Sequence, residues 1–297
     1  MSPSRYSLPP LLQLLRPHQW SKNVLLFFPV ILAHRVTDTG LMITTAIAAT
    51  LFSLMASAVY VFNDYIDLEA DRQHPQKCKR PLAAGTVSLK IAPWISLSLA
   101  TTSLLCAFLF FPVRLGIVLL VYVVANLIYS GFLKQVPILD AVFLTLMFLI
   151  RIYAGGVAGQ VLVTGWLFTF CLFFFLSIAF AKRVQELKLA EEHGPQKVRG
   201  YLVSDLPCIS QLGTGSGLIC VLVLALYIHS GSMVERYRSP YFLWLLCPLI
   251  LYWVGRFWLL TLRGEMEHDP IAFTLKDRIS YLILLSVILV VQGAYWF

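Results

Sequence analysis

The stretch Asn63-Asp64-Tyr65-Ile66-Asp67-Leu68-Glu69-Ala70-Asp71-Arg72-Gln73-His74-Pro75-Gln76-Lys77-Cys78-Lys79-Arg80-Pro81-Leu82-Ala83-Ala84-Gly85 decides how the chain is read. It follows an apolar run that begins near Leu41, so it reads as the cytoplasmic end of a membrane helix. Asp64, Asp67 and Asp71 stand at i, i+3 and i+7, which on an α-helix confines them to an arc of about 60°. Three carboxylates on one stripe repel each other unless a cation sits among them. Pro75 is expected to stop the helix, and the negative end of the helix dipole adds to the attraction for a cation. Hard oxygen ligands on a short arc suit Mg²⁺, with Mn²⁺ as a substitute, shared with substrate phosphates. Lys77, Lys79 and Arg80 follow in a loop, placed to hold phosphate oxygens that the metal leaves free. A solvated helix end with basic anchoring residues would explain the lysines. It explains the acidic trio poorly, because the chain has only 15 acids and three of them share this stripe.

Outward from this stretch the composition excludes a soluble globular protein: 59% of the 297 residues are hydrophobic and 13% charged. Hydropathy predicts an all-α polytopic membrane protein, a single domain over 1–297. Nine spans are expected, at roughly 20–34, 41–66, 88–111, 114–132, 138–158, 163–186, 207–230, 240–262 and 279–296. The net charge of +8 then concerns the sidedness of the bilayer rather than nucleic acid, which is not an expected partner. With the N-terminus inside, Arg35, Arg114, Arg236 and Arg238 lie outside and Arg151 and Arg256 within spans, leaving seventeen of the 23 Lys and Arg on the cytoplasmic side. That bias places the polar mouth on the cytoplasmic side of the membrane. The six cysteines form no CxxC pair and are assigned to packing. The first residues lack the apolar core and cleavage site of a signal peptide. P-loop, GxGxxG, HExxH and GxSxG motifs are absent from the sequence.

Other polar residues are candidates for the same mouth. Trp20 and Lys22 suit the headgroup region, and Lys22 and Asn23 alternatively face the acidic stripe. Asp140 and Arg151 are eleven residues apart, hence on nearly one helix face and ~16 Å apart along the axis. Asp140 is read as a structural ion-pair partner and Arg151 as a cavity-lining phosphate ligand, since an arginine this deep needs an internal partner or water. Gly155, Gly156 and Gly159 offer surfaces for close helix packing. Lys182 and Arg183 precede Glu186 by one turn, allowing local pairing, or a basic wall opposite the carboxylates with Glu186 orienting the bases. His268 and Asp269 side by side are too weak a signal for a metal pair.

The pattern Asn63-Asp64-x-x-Asp67-x-x-x-Asp71 resembles the first aspartate-rich motif of the UbiA superfamily of intramembrane prenyltransferases. The resemblance implies a UbiA-like bundle over essentially the whole chain. Most members carry a second acidic motif of DxxxD type, where this chain has Lys182-Arg183-x-x-Glu186. That departure resembles the phosphoribosyltransferase branch, as do Arg16-Pro17-His18-Gln19-Trp20 with Lys22 and Asn23, Tyr129-Ser130-x-x-Leu133-Lys134, and Asp269-Pro270 with Lys276-Asp277-Arg278. Members of that branch act on decaprenyl phosphate. The branch implies Mg²⁺-dependent transfer of 5-phosphoribose from phosphoribosyl diphosphate (PRPP) to a polyprenyl phosphate, on the route to a lipid-linked arabinose. Asp64, Asp67 and Asp71 would hold metal. Lys22, Asn63, Lys77, Arg80, Tyr129, Lys134, Arg151, Lys182, Arg183 and Glu186 would contact substrate. A conventional prenyltransferase with an aromatic acceptor and a non-catalytic lipid-phosphate carrier are the alternatives, and a homo-oligomer is possible in any of them.

Overall fold

The computed structural model describes residues 8–73, 77–193, 197–230, 237–266, 270–274 and 276–296. Pro75, His268 and Asp269 therefore lie outside the described residues. In chain order the helices are α1 (Pro10–Leu14), α2 (Phe28–Leu32), α3 (Thr39–Ile66), α4 (Leu68–Gln73), α5 (Ala92–Phe110), α6 (Val113–Gly131), α7 (Leu139–Ala158), α8 (Gly165–His193), α9 (Leu206–His229), α10 (Leu246–Arg263), α11 (Pro270–Thr274) and α12 (Arg278–Trp296). Short 3₁₀ segments and one two-stranded hairpin, β1 (Lys197–Val198) with β2 (Tyr201–Leu202), complete the described structure. Helices α3, α5, α6, α7, α8, α9, α10 and α12 are long and apolar enough to cross a bilayer. The protein is an all-α multi-pass membrane protein.

The first expected span differs from the others. Residues Pro17–Phe27 form a 3₁₀ helix that runs into the five-residue α2, which contains Pro29. Pro29 has no N–H to donate, so a continuous α-helix across it loses a rung. Among the described residues eight of the nine expected spans are thus helices of bilayer length, and the expected span 20–34 is not one of them.

The chain divides into two compact units, Met1–Gly131 with Ile150–Val163, and Phe132–Leu149 with Thr164–Phe297. In the first unit α3 is central and is packed by α5 and the 3₁₀ segment. Phe52, Met55 and Val61 of α3 are fully buried. Ser96 and Ser103 of α5 donate to the α3 carbonyls of Ala58 (2.8 Å) and Leu51 (2.7 Å), the small-polar glue of membrane helix pairs. Gly155 and Gly159 are the expected close-packing surfaces. A Cβ at 155 would lie 2.0 Å from the Leu26 carbonyl oxygen, and one at 159 would lie 2.5 Å from a Val30 methyl. Gly155→Ala is therefore expected to destabilise the protein by about 1–3 kcal/mol through overpacking. Thermal unfolding in detergent checks this, with Gly131→Ala, where a new Cβ meets nothing within 4 Å, as the neutral comparison.

In the second unit α8 packs chiefly on α9. A run of stacked rings, Phe174 on Trp253 (5.3 Å) and Trp253 on Phe257 (5.0 Å), joins α8 to α10. The Trp258 indole donates to Ser177 at 2.9 Å and fits over Gly213, where a Cβ would come within 2.3 Å of the ring. The hairpin turns through Arg199 (φ 51°) and Gly200 (φ 84°). At Gly200 a Cβ would lie 2.1 Å from the Gln135 carbonyl, so this turn needs glycine both for conformation and for space.

Candidate active site

Helix α3 closes at Asp67, which is its C-cap with φ −83° and ψ 12°. The helical hydrogen bonds nonetheless continue through it, Asp67 N to Asn63 O at 2.9 Å and Asp71 N to Asp67 O at 2.8 Å. Asp64 and Asp71 thus remain two turns apart on one side, 3% and 2% exposed. They converge on a single nitrogen. Arg80 Nη1 donates to Asp64 Oδ1 at 3.0 Å and to Asp71 Oδ2 at 2.6 Å. Arg16 Nη2 reaches the same Asp64 Oδ1 at 2.5 Å, and Lys77 Nζ lies 4.0 Å from Asp71 Oδ1. The expected three-carboxylate stripe is therefore revised: two buried carboxylates meet, and Asp67 stands half-exposed at the break between α3 and α4.

Sequence reasoning missed the role of Arg16. Its backbone is left-handed (φ 52°, ψ 57°), a sparsely populated region for arginine, and its guanidinium carbon lies 5.2 Å from the centre of the Tyr60 ring. The motif Arg16-Pro17 was visible in the sequence, but its partner is 48 residues away. His18, in the same segment, has its pKa lowered by burial and then by the charges of Arg16 and Lys22.

Arg151, expected to be a cavity-lining phosphate ligand, is 4% exposed within the first unit. Its Nε donates to Asn23 Oδ1 at 2.9 Å and its Nη2 to the Tyr122 hydroxyl at 3.0 Å. The rings of Phe52 and Tyr122 flank the guanidinium at 5.4 and 5.0 Å. Asn23 in turn donates to Ser53 at 2.8 Å. Asn23, the neighbour of Lys22, thus serves as a buried tie between the 3₁₀ segment, α3 and α7, a placement that the close approach at Gly155 permits. Lys22, Asn63 and Tyr129 are half-buried.

In the second unit Arg183 is the largest fully buried side chain, 1% exposed. Its Nε approaches Asp140 Oδ2 at 2.5 Å, a charge contact rather than an aligned hydrogen bond, and its Nη1 pairs with Glu186. Tyr201 of the hairpin donates its hydroxyl proton to Asp140 and accepts from the Ile138 N–H at 2.7 Å. Burial first, then the bond to Asp140, pushes the Tyr201 pKa well up, so the hydroxyl stays a donor. Arg199 Nε lies 3.7 Å from Glu186 Oε2. Asp140 is the ion-pair member expected of it. Arg183 departs from the phosphate contact expected of it, because two carboxylates enclose its guanidinium. Lys182 and Lys134 are half-buried. Gln185, 6% exposed, has no hydrogen-bond partner among the described residues for either end of its amide. Farther along, Arg256 donates twice to Asp277, at 2.6 and 3.0 Å, and Ser280 completes the carboxylate's bonds, clamping α10 to the start of α12. Burial raises the Asp277 pKa, but these donors outweigh it and hold the group low.

Residues 24–283 match the UbiA prenyltransferase family. The chain belongs to that family. Among its relatives, the uncharacterized protein y4nM of Sinorhizobium fredii is 35% identical over 91% of this chain, which spans only 52% of the length of y4nM. Nodulation protein NoeC of Azorhizobium caulinodans is 30% identical over 92% of this chain and 89% of its own. Decaprenyl-phosphate phosphoribosyltransferase of Mycobacterium tuberculosis is 31% identical over 95% of this chain and 93% of its own. The solved structure of a UbiA homolog from Archaeoglobus fulgidus bound to DMAPP and Mg²⁺ superimposes with a TM-score of 0.65 at 18% identity, covering 95% of this chain and 98% of that one. At that identity the likeness concerns the fold alone. The protein is a membrane-embedded transferase of the UbiA family.

The UbiA fold raises the question of whether the residues here suit a divalent ion. Among the described residues no three His, Cys, Asp or Glu side chains converge closely enough to hold one unaided. Two hard carboxylates, Asp64 and Asp71, do converge on one cationic atom. Mg²⁺ is commonly held by one or two carboxylates plus substrate phosphates and water, so this donor set fits it.

Proposed function

We propose that the protein transfers 5-phosphoribose from PRPP to a polyprenyl phosphate at the cytoplasmic face of a bacterial membrane. The ribosyl C1–O bond to diphosphate breaks, and a C1–O bond to the lipid phosphate forms. The products are polyprenyl-phosphoryl-ribose 5-phosphate and diphosphate. Asp64 and Asp71, with Asp67 beside them, would hold Mg²⁺, which when bound would supply neutralisation of charge on the departing diphosphate. Arg80 and Lys77 donate to phosphate oxygens, and the lipid phosphate, already anionic, attacks without a strong general base. Lys182, Lys134, Lys22, Asn63 and Tyr129 are the further substrate contacts. Arg183 and Arg151 act by positioning their neighbours. Glu186 belongs to the Arg183 network.

The observation that carries the PRPP reading is the state of Glu186. A prenyl-diphosphate enzyme with the DxxxD motif presents two acids here. This chain has Lys182 at the first position, and its Glu186 is engaged by Arg183 and Arg199. The likeness to decaprenyl-phosphate phosphoribosyltransferases supports the same reading, and the closer likeness to y4nM and NoeC makes a direct test necessary.

That test is turnover of purified protein with labelled PRPP and polyprenyl phosphate, beside prenyl diphosphate with an aromatic acceptor. Lys182→Asp restores the acidic pattern. It is expected to abolish phosphoribosyl transfer, whereas a conventional prenyltransferase would keep or gain activity. Wild-type protein inert with PRPP but active with prenyl diphosphate would refute the proposed reaction.

A further inference from the structure

Arg80 Nη1 occupies the place between Asp64 Oδ1 and Asp71 Oδ2 where a bridging cation would bind, and Arg16 takes the same Asp64 oxygen. Carboxylate lone pairs engaged by a guanidinium are not available to a metal, so the two compete for the same oxygens. The competition is built in. Both carboxylates are buried, and carboxylates so buried need a positive partner. Arg80 is only partly buried, its side chain 28% exposed, so its fork can swing to a neighbouring ligand. Arg16 holds its position in a left-handed backbone conformation that arginine rarely adopts, a form of strain that collects at functional sites.

We infer that Arg80, assisted by Arg16, is a built-in counter-ion that excludes free divalent metal and is handed over to the diphosphate when metal and diphosphate arrive together. In the exchange Asp64 and Asp71 would be freed to hold the metal, and the released guanidinium groups would turn to phosphate oxygens. Charge-assisted bonds are conserved, since each arginine trades a carboxylate for a phosphate. Free metal offers no such replacement partner and must displace the arginines into water. The coupling is reciprocal: diphosphate tightens metal binding by the factor by which metal tightens diphosphate binding. Arg80 and Arg16 would thus set the order of loading and select against bare metal. The inference rests on the proposed donor only in that the donor carries a diphosphate.

The experiment uses the full chain in detergent, with Mn²⁺ binding followed by electron paramagnetic resonance and Mg²⁺–pyrophosphate binding by calorimetry. Arg80→Gln is expected to bind free Mn²⁺ about tenfold or more tighter than wild type and Mg²⁺–pyrophosphate about tenfold or more weaker. Opposite signs in one protein cannot come from damage to the fold, which weakens both. Arg80→Lys should stay on the wild-type side for free Mn²⁺, because it keeps the charge. An Arg80→Gln protein whose Mn²⁺ affinity is unchanged or weaker overturns the inference. Should that variant lose its circular dichroism, Arg16→Gln, which relieves Asp64 Oδ1 alone, is judged by the same rule. Neither PRPP nor a lipid is used, so a failed phosphoribosyl assay leaves this result standing, and the reverse also holds.

Discussion

Turnover of Asp64→Asn is expected to fall about a hundredfold or more at saturating substrate, with no comparable loss from Asp38→Asn. The asparagine keeps the size and one oxygen of the aspartate but removes the charge. In the wild type Asp64 Oδ1 is shared by Arg16 at 2.5 Å and Arg80 at 3.0 Å. Without the carboxylate, two guanidinium groups face one another around a neutral amide, and the proposed metal site loses one of its two convergent acids. Both defects act on the same charge balance, so the loss exceeds that of a single charge-assisted hydrogen bond, roughly ten- to a hundredfold. Asp38 is the appropriate comparison because its side chain is 41% exposed, pairs with Arg35 at 2.8 Å and caps α3 through the Leu41 N–H. Its replacement tests whether any lost acid on α3 reduces activity. The effect should appear as a drop in kcat with weakened Mn²⁺ binding. An Asp64→Asn enzyme of wild-type turnover would mean that the buried carboxylate is structural.

The transmembrane architecture was legible because apolar runs of bilayer length carry their own signal. Helical periodicity alone likewise put Asp64 and Asp71 on one side. What hydropathy could not see was backbone chemistry. The window over 20–34 scores as a span whether or not Pro29 permits a continuous α-helix, and the part of it before Phe28 became 3₁₀. Spacing also identifies a face but not a partner. Arg16 lies 48 residues from Asp64, and Arg151 lies 128 from Asn23. For Arg183 the sequence offered Glu186 one turn away, and it does pair there. The buried contact with Asp140 comes from another helix, and the Tyr201 hydroxyl comes from a hairpin that no periodicity marked. Charges drawn as a basic wall from the sequence are, for Arg183, internal to the fold.

Asp140→Ala is expected to destabilise the protein by about 3–5 kcal/mol, and Asp140→Leu combined with Arg183→Met to restore part of that loss. Asp140 is fully buried and Arg183 nearly so, and their charges touch at 2.5 Å. Removing the acid alone takes one of two carboxylates from a guanidinium that is 1% exposed, leaving Glu186 beside it. Glu186 cannot take over, because it already binds Arg183 through Nη1 and lies near Arg199 from a partly exposed position, its side chain 24% exposed. The same substitution removes the acceptor of the Tyr201 hydroxyl, adding an unsatisfied buried donor worth about 1–3 kcal/mol and loosening the hairpin. Asp140→Asn should fall between, since it keeps an oxygen for Tyr201 while losing the charge. Removing both charges avoids leaving Arg183 without Asp140, and desolvating an ion pair is itself expensive, so the apolar pair recovers part of the stability, short of the Tyr201 acceptor and the Glu186 pairing that it also lacks. Thermal unfolding in detergent gives the ranking, and protease cleavage within 197–202 reports the hairpin separately. If the double variant is no more stable than Asp140→Ala, charge compensation is not what Asp140 supplies, and its contribution is packing and the Tyr201 hydrogen bond.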